Sequence, residues 1–377
     1  MARHLRLLTG LVAAMLALTA IPSASALTPP SVPWTWGSNS FGQLGDGTTA
    51  SRTTPTPVAL SDVIDIHGGR EHVASLRANG TVWVWGSSQQ GQLGQGDRIN
   101  RSVPTQVSSL SSIVAIETGH NHTLALGSDG RVWSFGLNTD GQLGDGTLIQ
   151  RRSPVPVLGL TDAVAIAAGR NMSYAIRSDG TVVGWGRNAE GQLGDGTTTG
   201  RLTPVRVGTL TGVIDIAGGR DHGLALRSDG SVWAWGANAY GQVGDGTLTN
   251  RTLPAQVATG MTQVIAGAHH SYALRTTGLV SSWGRNYRAN LGDGTITSRR
   301  TPVTVRNVSN AVSIGAGRDH GVAVLADGTV RAWGANLSGQ LGDGTFTNRS
   351  IAITVPGVSG AVKAGGGGQG YSVILVN

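Results

Sequence analysis

The chain contains no cysteine, which excludes disulfides, thiolate metal sites and cysteine nucleophiles. Of its 377 residues only 13% are charged and 5% are aromatic, and Lys363 is the only lysine. Nearly all of the positive charge is therefore carried by arginine, which favours planar, bidentate contacts over a diffuse polycation. The net charge of +7 is modest for this length, so we expect no nucleic-acid partner.

Long apolar runs are missing from the sequence except near the N terminus. There, residues 7–20 are apolar, follow the basic residues Arg3 and Arg6, and precede the A-x-A cleavage site that ends at Ala26. This pattern is typical of a secretory signal peptide, so residues 1–26 are predicted to be removed and residues 27–377 to form a single domain. We expect a secreted, extracellular protein that has no membrane partner.

Glycine, in contrast, is abundant at 59 residues, a composition that favours turns over helices. A repeat accounts for much of this glycine, because the string GQLGDG or a near copy occurs seven times at intervals of 48 to 50 residues. The copies start at Gly42, Gly91, Gly141, Gly191, Gly241, Ala289 and Gly339. An aromatic residue followed by glycine stands six residues before each, at Trp36, Trp85, Phe135, Trp185, Trp235, Trp283 and Trp333.

Each repeat predicts four short strands. In one repeat these are the apolar residues 213–217, residues 223–226 after a turn that contains glycine, and residues 232–235 after a hairpin signal. Pro254 marks an outer strand at residues 254–257, because an edge strand does not need the N–H that proline lacks. Four antiparallel strands per repeat are typical of a propeller blade. The predicted fold is therefore all-β, a seven-bladed β-propeller of four-stranded antiparallel blades.

The first repeat lacks its upstream half, and residues 361–377 supply that half at the other end of the chain. We therefore predict a composite closing blade, with two inner strands from the C terminus and two outer strands from residues 32–58. Backbone hydrogen bonds would then tie the ring shut and leave no free sheet edge between the first and last blades.

The combined pattern AGxxHxxALxxDGxVWxWGxNxxGQLGDGTxxxRxxP resembles the repeat of the regulator of chromosome condensation (RCC1-like) family over residues 32–377. The resemblance implies a seven-bladed propeller. The family's name also implies guanine nucleotide exchange on a small GTPase, but the signal peptide opposes that function and the regular spacing leaves no room for an inserted wedge. A similarity to the secreted bacterial propellers that inhibit β-lactamases implies inhibition through loop aromatics, of which this chain has few. The high ratio of arginine to lysine favours a bacterial source.

Histidine recurs at one position of the repeat, with Met172 and Gln369 taking its place in two copies. Packed sheets lie about 10 Å apart, whereas zinc needs its ligand nitrogens about 2 Å away, so adjacent copies cannot share a metal. We predict a structural role in which each imidazole bonds a backbone group of the turn after the first strand. The histidines are His72, His122, His222, His270 and His320.

Aspartate and arginine also recur, six residues apart, as in Asp195 with Arg201 and Asp245 with Arg251. Each loop offers a single carboxylate, which disfavours calcium and favours an aspartate turn braced by arginine. The sequence shows no catalytic motif and no carboxylate pair that departs from the repeat. We therefore expect no metal and no cofactor.

Function is expected where the repeats differ, in loops that a four-stranded meander places on one face. Arginine and aromatic residues in these loops favour a binding interface. The predicted partner-binding residues are Arg70, Arg170, Arg220, Arg318, Phe41, Tyr240 and Tyr287. We predict a monomer that binds an extracellular protein through this face. An extracellular enzyme or carbohydrate-binding protein that uses the same face, and a solvated rim without any partner, are the alternatives.

Overall fold

The computed structural model describes residues 31–377, so the predicted signal peptide lies outside the described residues. Twenty-eight β-strands form seven four-stranded antiparallel sheets, and the described chain contains no helix. Accordingly, residues 31–377 hold no helix that could cross a membrane. The predicted all-β, seven-bladed propeller is confirmed.

Six of the blades follow one another along the chain, and in each the strands run in chain order from the central channel outwards. Blade 1 comprises β3 (Val63–Gly68), β4 (His72–Arg77), β5 (Val82–Gly86) and β6 (Arg101–Gln106). Blade 2 comprises β7 (Ile113–Thr118), β8 (His122–Gly127), β9 (Val132–Gly136) and β10 (Arg151–Pro156). Blade 3 comprises β11 (Ala163–Ala168), β12 (Met172–Arg177), β13 (Val182–Gly186) and β14 (Arg201–Arg206).

The next three blades repeat this plan. Blade 4 comprises β15 (Val213–Gly218), β16 (His222–Arg227), β17 (Val232–Gly236) and β18 (Arg251–Ala258). Blade 5 comprises β19 (Met261–Ala266), β20 (His270–Arg275), β21 (Val280–Gly284) and β22 (Arg299–Thr304). Blade 6 comprises β23 (Ala311–Ala316), β24 (His320–Leu325), β25 (Val330–Gly334) and β26 (Arg349–Thr354). The outer strand of blade 4 begins at Arg251, three residues before the proline that predicted it.

The closing blade is composite, as predicted. Its strands from the channel outwards are β27 (Ala361–Ala364), β28 (Tyr371–Val376), β1 (Val32–Gly37) and β2 (Arg52–Pro57). The pairing of β28 with β1 sets Trp34 opposite Ile374 and joins the two ends of the described chain. Next to this pair, the hydroxyl of Ser31 donates to the side chain of Asn377 at 2.8 Å.

The hydrophobic core is divided among the seven interfaces between neighbouring blades. Each interface has its own apolar cluster, as between blades 3 and 4, where Trp235 packs with Tyr174 and Leu193. The indole N–H of Trp235 donates to the carbonyl oxygen of Gln192 in blade 3 at 2.8 Å. Five other repeat tryptophans make the same bond to the preceding blade. Burial and a buried hydrogen bond therefore stabilise each interface through the same side chain.

A circle of main-chain hydrogen bonds also runs around the outside of the ring. In every blade the second glycine of the GDG or GQG segment donates to the outer strand of the next blade, as Gly196 does to Thr252 at 2.9 Å. The long loop between the third and fourth strands is therefore held on both sides of a blade interface. This contact fixes the long loops that carry Phe41, Tyr240 and Tyr287.

Candidate functional site

The residues that differ between blades lie at one end of the propeller, which we call the arginine face. In each blade it consists of the turn between the first and second strands and the long loop between the third and fourth strands. In an antiparallel meander, these two connections lie at the same end of the sheet. The tight turns between the second and third strands, such as residues 228–231, form the opposite end, the hairpin face.

The turns of the arginine face are joined by a closed circle of main-chain hydrogen bonds. The amide of Arg170 in blade 3 donates to the carbonyl of Gly219 in blade 4 at 3.1 Å, and similar bonds join the other neighbours. The circle ends where Gln369 of the closing blade donates to Arg70 of blade 1 at 2.9 Å. The side chains of these turns therefore project from a fixed frame.

The circle surrounds the mouth of the central channel. A cavity of about 390 Å³ opens there between the first strands of all seven blades, a size within the usual range of ligand pockets. Its rim carries the four predicted arginines, Arg70, Arg170, Arg220 and Arg318. His120 takes the equivalent place in blade 2, whereas Ala268 and Gly368 leave the rim open in blade 5 and the closing blade.

Close backbone approach allows only glycine at position 368, on the closing-blade side of the mouth. A Cβ added to Gly368 would lie 1.7 Å from the carbonyl oxygen of Gly69 and 2.4 Å from that of Arg70. No larger residue fits at Gly368 unless the seam between the closing blade and blade 1 opens.

Positive charge is concentrated at this mouth. Burial first, and then the charges of Arg70, Arg170, Arg318 and Arg220, lower the pKa of His120 to about 3. The imidazole is therefore neutral at neutral pH. All four arginines act on this one histidine, so the structure brings the four predicted arginines into a single electrostatic site.

Three of the four arginines have an acidic neighbour. The Nε atoms of Arg70, Arg220 and Arg318 lie 3.4, 3.2 and 3.6 Å from the carboxylates that follow them in sequence, those of Glu71, Asp221 and Asp319. Within residues 31–377, Arg170 has no carboxylate within 4.0 Å. The rim thus keeps net positive charge.

A second group of charged residues lines the channel below the mouth. Nε2 of His67 lies 2.9 Å from the carboxylate of Asp65, and Nδ1 lies 3.3 Å from that of Glu117. Lys363 of the closing blade also donates to Asp65. Burial raises the pKa of Glu117 to about 7. Burial alone would lower the pKa of His67, but the carboxylates of Glu117 and Asp65 raise it above its usual value.

This channel group corrects the expectation that no carboxylate pair departs from the repeat, because Asp65 and Glu117 do. Most other first strands carry small or apolar residues at the positions of His67 and Glu117, as at Ala167. A comparison of the first strands alone would have revealed them. The spacing between repeats does not distinguish these two positions from their counterparts in the other blades.

An aromatic cluster, which we call the tyrosine shelf, adjoins the mouth. The ring of Tyr240 meets the edge of Tyr287 at a centroid distance of 5.8 Å. The guanidinium of Arg285 lies 5.4 Å from the first ring and 4.8 Å from the second, a cation–π arrangement. His269 connects shelf and mouth, because its ring is 5.1 Å from that of Tyr240 and its Nε2 is 3.2 Å from Nη1 of Arg220.

Phe41, the third predicted aromatic, lies apart from this shelf. Its loop belongs to the closing blade, whereas Tyr240 and Tyr287 belong to blades 4 and 5. Phe41 is half-buried, and no aromatic ring packs against it within the described chain. The structure therefore brings together two of the three predicted aromatic residues.

The five repeat histidines are fully buried at the interfaces between blades. Nε2 of His222 lies 3.0 Å from the hydroxyl of Ser271 in the next blade, which itself donates to the carbonyl of Gln242. His72, His122 and His320 make the same type of contact. The partner is a side-chain hydroxyl of the neighbouring blade and not the backbone group of the turn that the sequence predicted.

The closing blade differs at this position. The strand register pairs Tyr371 with Gly37, as it pairs His222 with Gly236, so Tyr371 and not Gln369 takes the place of the histidine. The turn before it is longer than in the other blades. Gln369 lies at the mouth, where its side-chain oxygen accepts a hydrogen bond from Nε of Arg70 at 3.1 Å.

The recurring aspartate and arginine lie in the long loops. Oδ1 of Asp195 accepts from the amide and hydroxyl of Thr197 at 2.9 and 2.7 Å, and Oδ2 accepts from Nε of Arg201 at 3.0 Å. Asp245 and Arg251 are joined in the same way at 2.6 Å. Within residues 31–377, no group of three His, Asp or Glu side chains is placed to hold a metal ion.

Several solved structures share this architecture. Yeast RCC1 (Prp20) in a complex with Kap60 matches with a TM-score of 0.82 and 23% identity over 92% of this chain and 89% of that one. Prp20p from Saccharomyces cerevisiae, described with its binding to Gsp1p and histones, matches with a TM-score of 0.81 and 24% identity over 93% and 92%. Human WBSCR16 matches with a TM-score of 0.81 and 22% identity over 93% and 99%. At these identities the likeness shows the fold alone.

Comparison of the sequence with known protein families identifies the family of this chain. No curated protein matches the chain closely. The model of the RCC1-like domain matches residues 34–374, which include strands of all seven blades and both halves of the closing blade. The chain therefore belongs to the RCC1-like domain family.

Proposed function

We propose that the chain is a secreted, non-catalytic propeller that binds another protein through the arginine face. Secretion is supported by the signal-peptide pattern of residues 1–26. The observation that carries the binding proposal is the junction of two features in one surface, the arginine mouth and the tyrosine shelf, through the contact of Arg220 with His269.

The residue types and their rigidity favour a protein interface. Tyrosine and arginine are enriched among residues that dominate binding energy, and a pre-ordered side chain loses less entropy on binding. Tyr287 is 57% exposed, yet it is held by Tyr240 and Arg285. The shelf thus presents a large aromatic surface that is ordered before any partner arrives.

The solved relatives support the same class of function. The yeast relative is described in a complex with Kap60 and by its binding to Gsp1p and histones. A propeller of this shape can therefore act as a scaffold for protein contacts. In the present chain, the arginine mouth and the tyrosine shelf support the arginine face as the surface for such contacts.

The test compares capture by the native protein and by a face variant. Protein recovered from culture supernatant should begin at Leu27. Immobilised native protein should retain a binding partner from the same medium, and the triple variant Arg170→Glu, Arg220→Glu, Tyr240→Ala should lose it. In solution, we expect the arginine changes to slow association and the tyrosine change to speed dissociation.

The matched control changes the same number of arginines on the hairpin face. Arg131 is exposed in a hairpin turn and Arg206 ends an outer strand at that face. The variant Arg131→Glu, Arg206→Glu should bind as the native protein does. Full retention of the partner by the triple variant, or equal loss by the control, would refute the assignment to the arginine face.

A further inference from the structure

The arginines at the mouth offer donors that the protein itself does not use. The side chain of Arg70 bonds Gln369 through Nε, and within residues 31–377 no protein group accepts from the terminal nitrogens of Arg70, Arg170 or Arg318. The side chains of Arg70 and Arg318 are 38% and 49% exposed. These terminal N–H groups are therefore open to a ligand.

The neighbouring acids orient the arginines without occupying those donors. Asp221 and Asp319 are buried, and they accept from the side-chain amides of Gln192 at 3.4 Å and Asn290 at 3.2 Å. Each approaches its arginine at Nε. The planar guanidinium then keeps its outer edge free, the edge that pairs with a carboxylate in bidentate contacts.

The channel floor below the rim holds charges of both signs. The carboxylate of Asp65 is paired with both Lys363 and His67, and Glu117 contacts the other nitrogen of His67. The carboxylate of Asp215 lies nearby and accepts hydrogen bonds from the main-chain amides of Ile216 and Val264. An anion that enters the mouth therefore meets four guanidinium groups at the rim before it reaches the carboxylates of the floor.

We propose that the mouth is a carboxylate-binding site that takes an acidic segment of the partner protein, whose Asp and Glu side chains pair with Arg70, Arg170 and Arg318. The inference rests on the proposed function and names the chemistry of the partner. The guanidinium groups come from blades 1, 3, 4 and 6, so they surround the mouth instead of converging on one point. A chain that carries several carboxylates can reach them in turn, and a single small anion cannot.

Beside the mouth, the tyrosine shelf provides a surface along which a bound acidic segment can continue. Arg220 belongs to the rim and contacts His269, which packs on Tyr240. The backbone and apolar groups of a bound segment can lie on these rings while its carboxylates remain at the arginines. Both features of the arginine face then serve one extended ligand.

The experiment measures fluorescence anisotropy of a labelled hexaglutamate peptide with an amidated C terminus. We expect binding that weakens as salt is raised, and none for the matched hexaglutamine peptide. The variant Arg170→Gln, Arg318→Gln should bind the acidic peptide about tenfold or more weakly, because each lost guanidinium removes a charge-assisted pair. The variant Arg131→Gln, Arg206→Gln removes the same charge from the hairpin face and should bind as the native protein does.

Thermal unfolding first verifies that both variants are folded, which we expect because the circle of bonds at the mouth uses only main-chain atoms. Equal peptide binding by the native protein and the mouth variant would overturn the inference. The inference would also be overturned if free glutarate or inorganic phosphate displaced the labelled peptide as effectively as unlabelled peptide does at the same concentration. That result would indicate a small-anion site. If the peptide fails while partner capture still depends on the arginine face, only this inference falls; if capture is also independent of that face, the proposed function falls with it.

Discussion

At the scale of single residues, the buried histidines show that one repeat position can have two environments. His72, His122, His222 and His320 each have a hydroxyl of the next blade within hydrogen-bond distance of Nε2. For His270, the next blade carries Gly321 where the blades next to the other four histidines carry a serine or threonine. Neither ring nitrogen of His270 has a partner within the described chain. Blade 3 also faces a glycine, because Gly223 of blade 4 takes the position of the hydroxyl residue. At the histidine position itself, blade 3 carries Met172. The thioether suits an interface that offers no hydroxyl.

We therefore expect opposite effects from one substitution at two equivalent positions. His270→Met removes two buried nitrogens that lack partners, so it should leave the free energy of unfolding unchanged or raise it by up to about 1–2 kcal/mol. His222→Met loses the contact with Ser271 and should lower it by about 1–2 kcal/mol. Urea denaturation followed by tryptophan fluorescence measures both variants. A larger loss at His270 than at His222 would contradict this account.

The repeat located these histidines in the sequence, but it did not give their partners. His222 and Ser271 are 49 residues apart and meet only because adjacent blades pack. No local pattern in one repeat encodes a contact with the next. Gln369 was wrongly assigned to the histidine position for a related reason. The glycine-rich residues 365–370 form a longer turn, so Tyr371 and not Gln369 pairs with Gly37.

At the scale of elements, the closing blade is the place where the ring depends on both ends of the chain. Strand β28 is central in this sheet, paired to β1 on one side and to β27 on the other. Lys363 adds an ion pair from the closing blade to Asp65 of blade 1. Alternation and turn residues predicted these strands correctly, because each strand buries one of its faces against a neighbouring blade.

Deletion of residues 371–377 should open the ring. It removes β28, exposes the apolar surface that Val373, Ile374 and Leu375 bury, and leaves β1 without its inner partner. Three buried aliphatic side chains alone represent several kcal/mol, so we expect a large, cooperative loss of stability in a thermal melt monitored by circular dichroism. An unfolding midpoint within a degree or two of the full-length protein would show that the blade is not needed for closure.

A circular permutant is the matched control for this deletion. Ser31 and Asn377 are hydrogen-bonded at 2.8 Å, so a short glycine-serine linker can join residues 31 and 377 without strain. New ends between Gly208 and Thr209, in a link between blades, keep every strand intact. This permutant should fold and melt near the native temperature, which would assign the effect of the deletion to β28 and not to the position of the chain ends.

At the scale of the whole molecule, the sequence predicted the arginine face but not the channel. A four-stranded meander places the variable loops at one end, so the repeat pattern was enough to group Arg70, Arg170, Arg220 and Arg318. The contact of His67 with Glu117 requires two first strands to converge on the axis, which the repeat spacing does not reveal. The same convergence creates the cavity beneath the arginine rim.

The repeated interfaces also give the molecule a collective response to pH. Burial lowers the pKa values of His72, His122, His222 and His270 to about 3 and that of His320 to about 4. The unfolded chain binds protons at these histidines near pH 6.5. Below this value the unfolded state holds more protons than the folded state, so stability is lost as pH falls from about 6.5 towards 3. Glu117 and Asp215 have the opposite sign, because burial raises their folded pKa values to about 7 and about 6, which costs stability as pH rises.

The five histidines outnumber Glu117 and Asp215, so we expect the free energy of unfolding to fall steadily between about pH 6.5 and 4. Each buried histidine contributes a slope of about 1.4 kcal/mol per pH unit over this range, which corresponds to one proton taken up on unfolding. Urea denaturation at a series of pH values measures the slope, and His270→Met should reduce it by about one proton because it removes one buried imidazole. A stability that stays constant from pH 6.5 to 4.5, or an unchanged slope in this variant, would mean that the imidazoles already bind protons in the folded propeller.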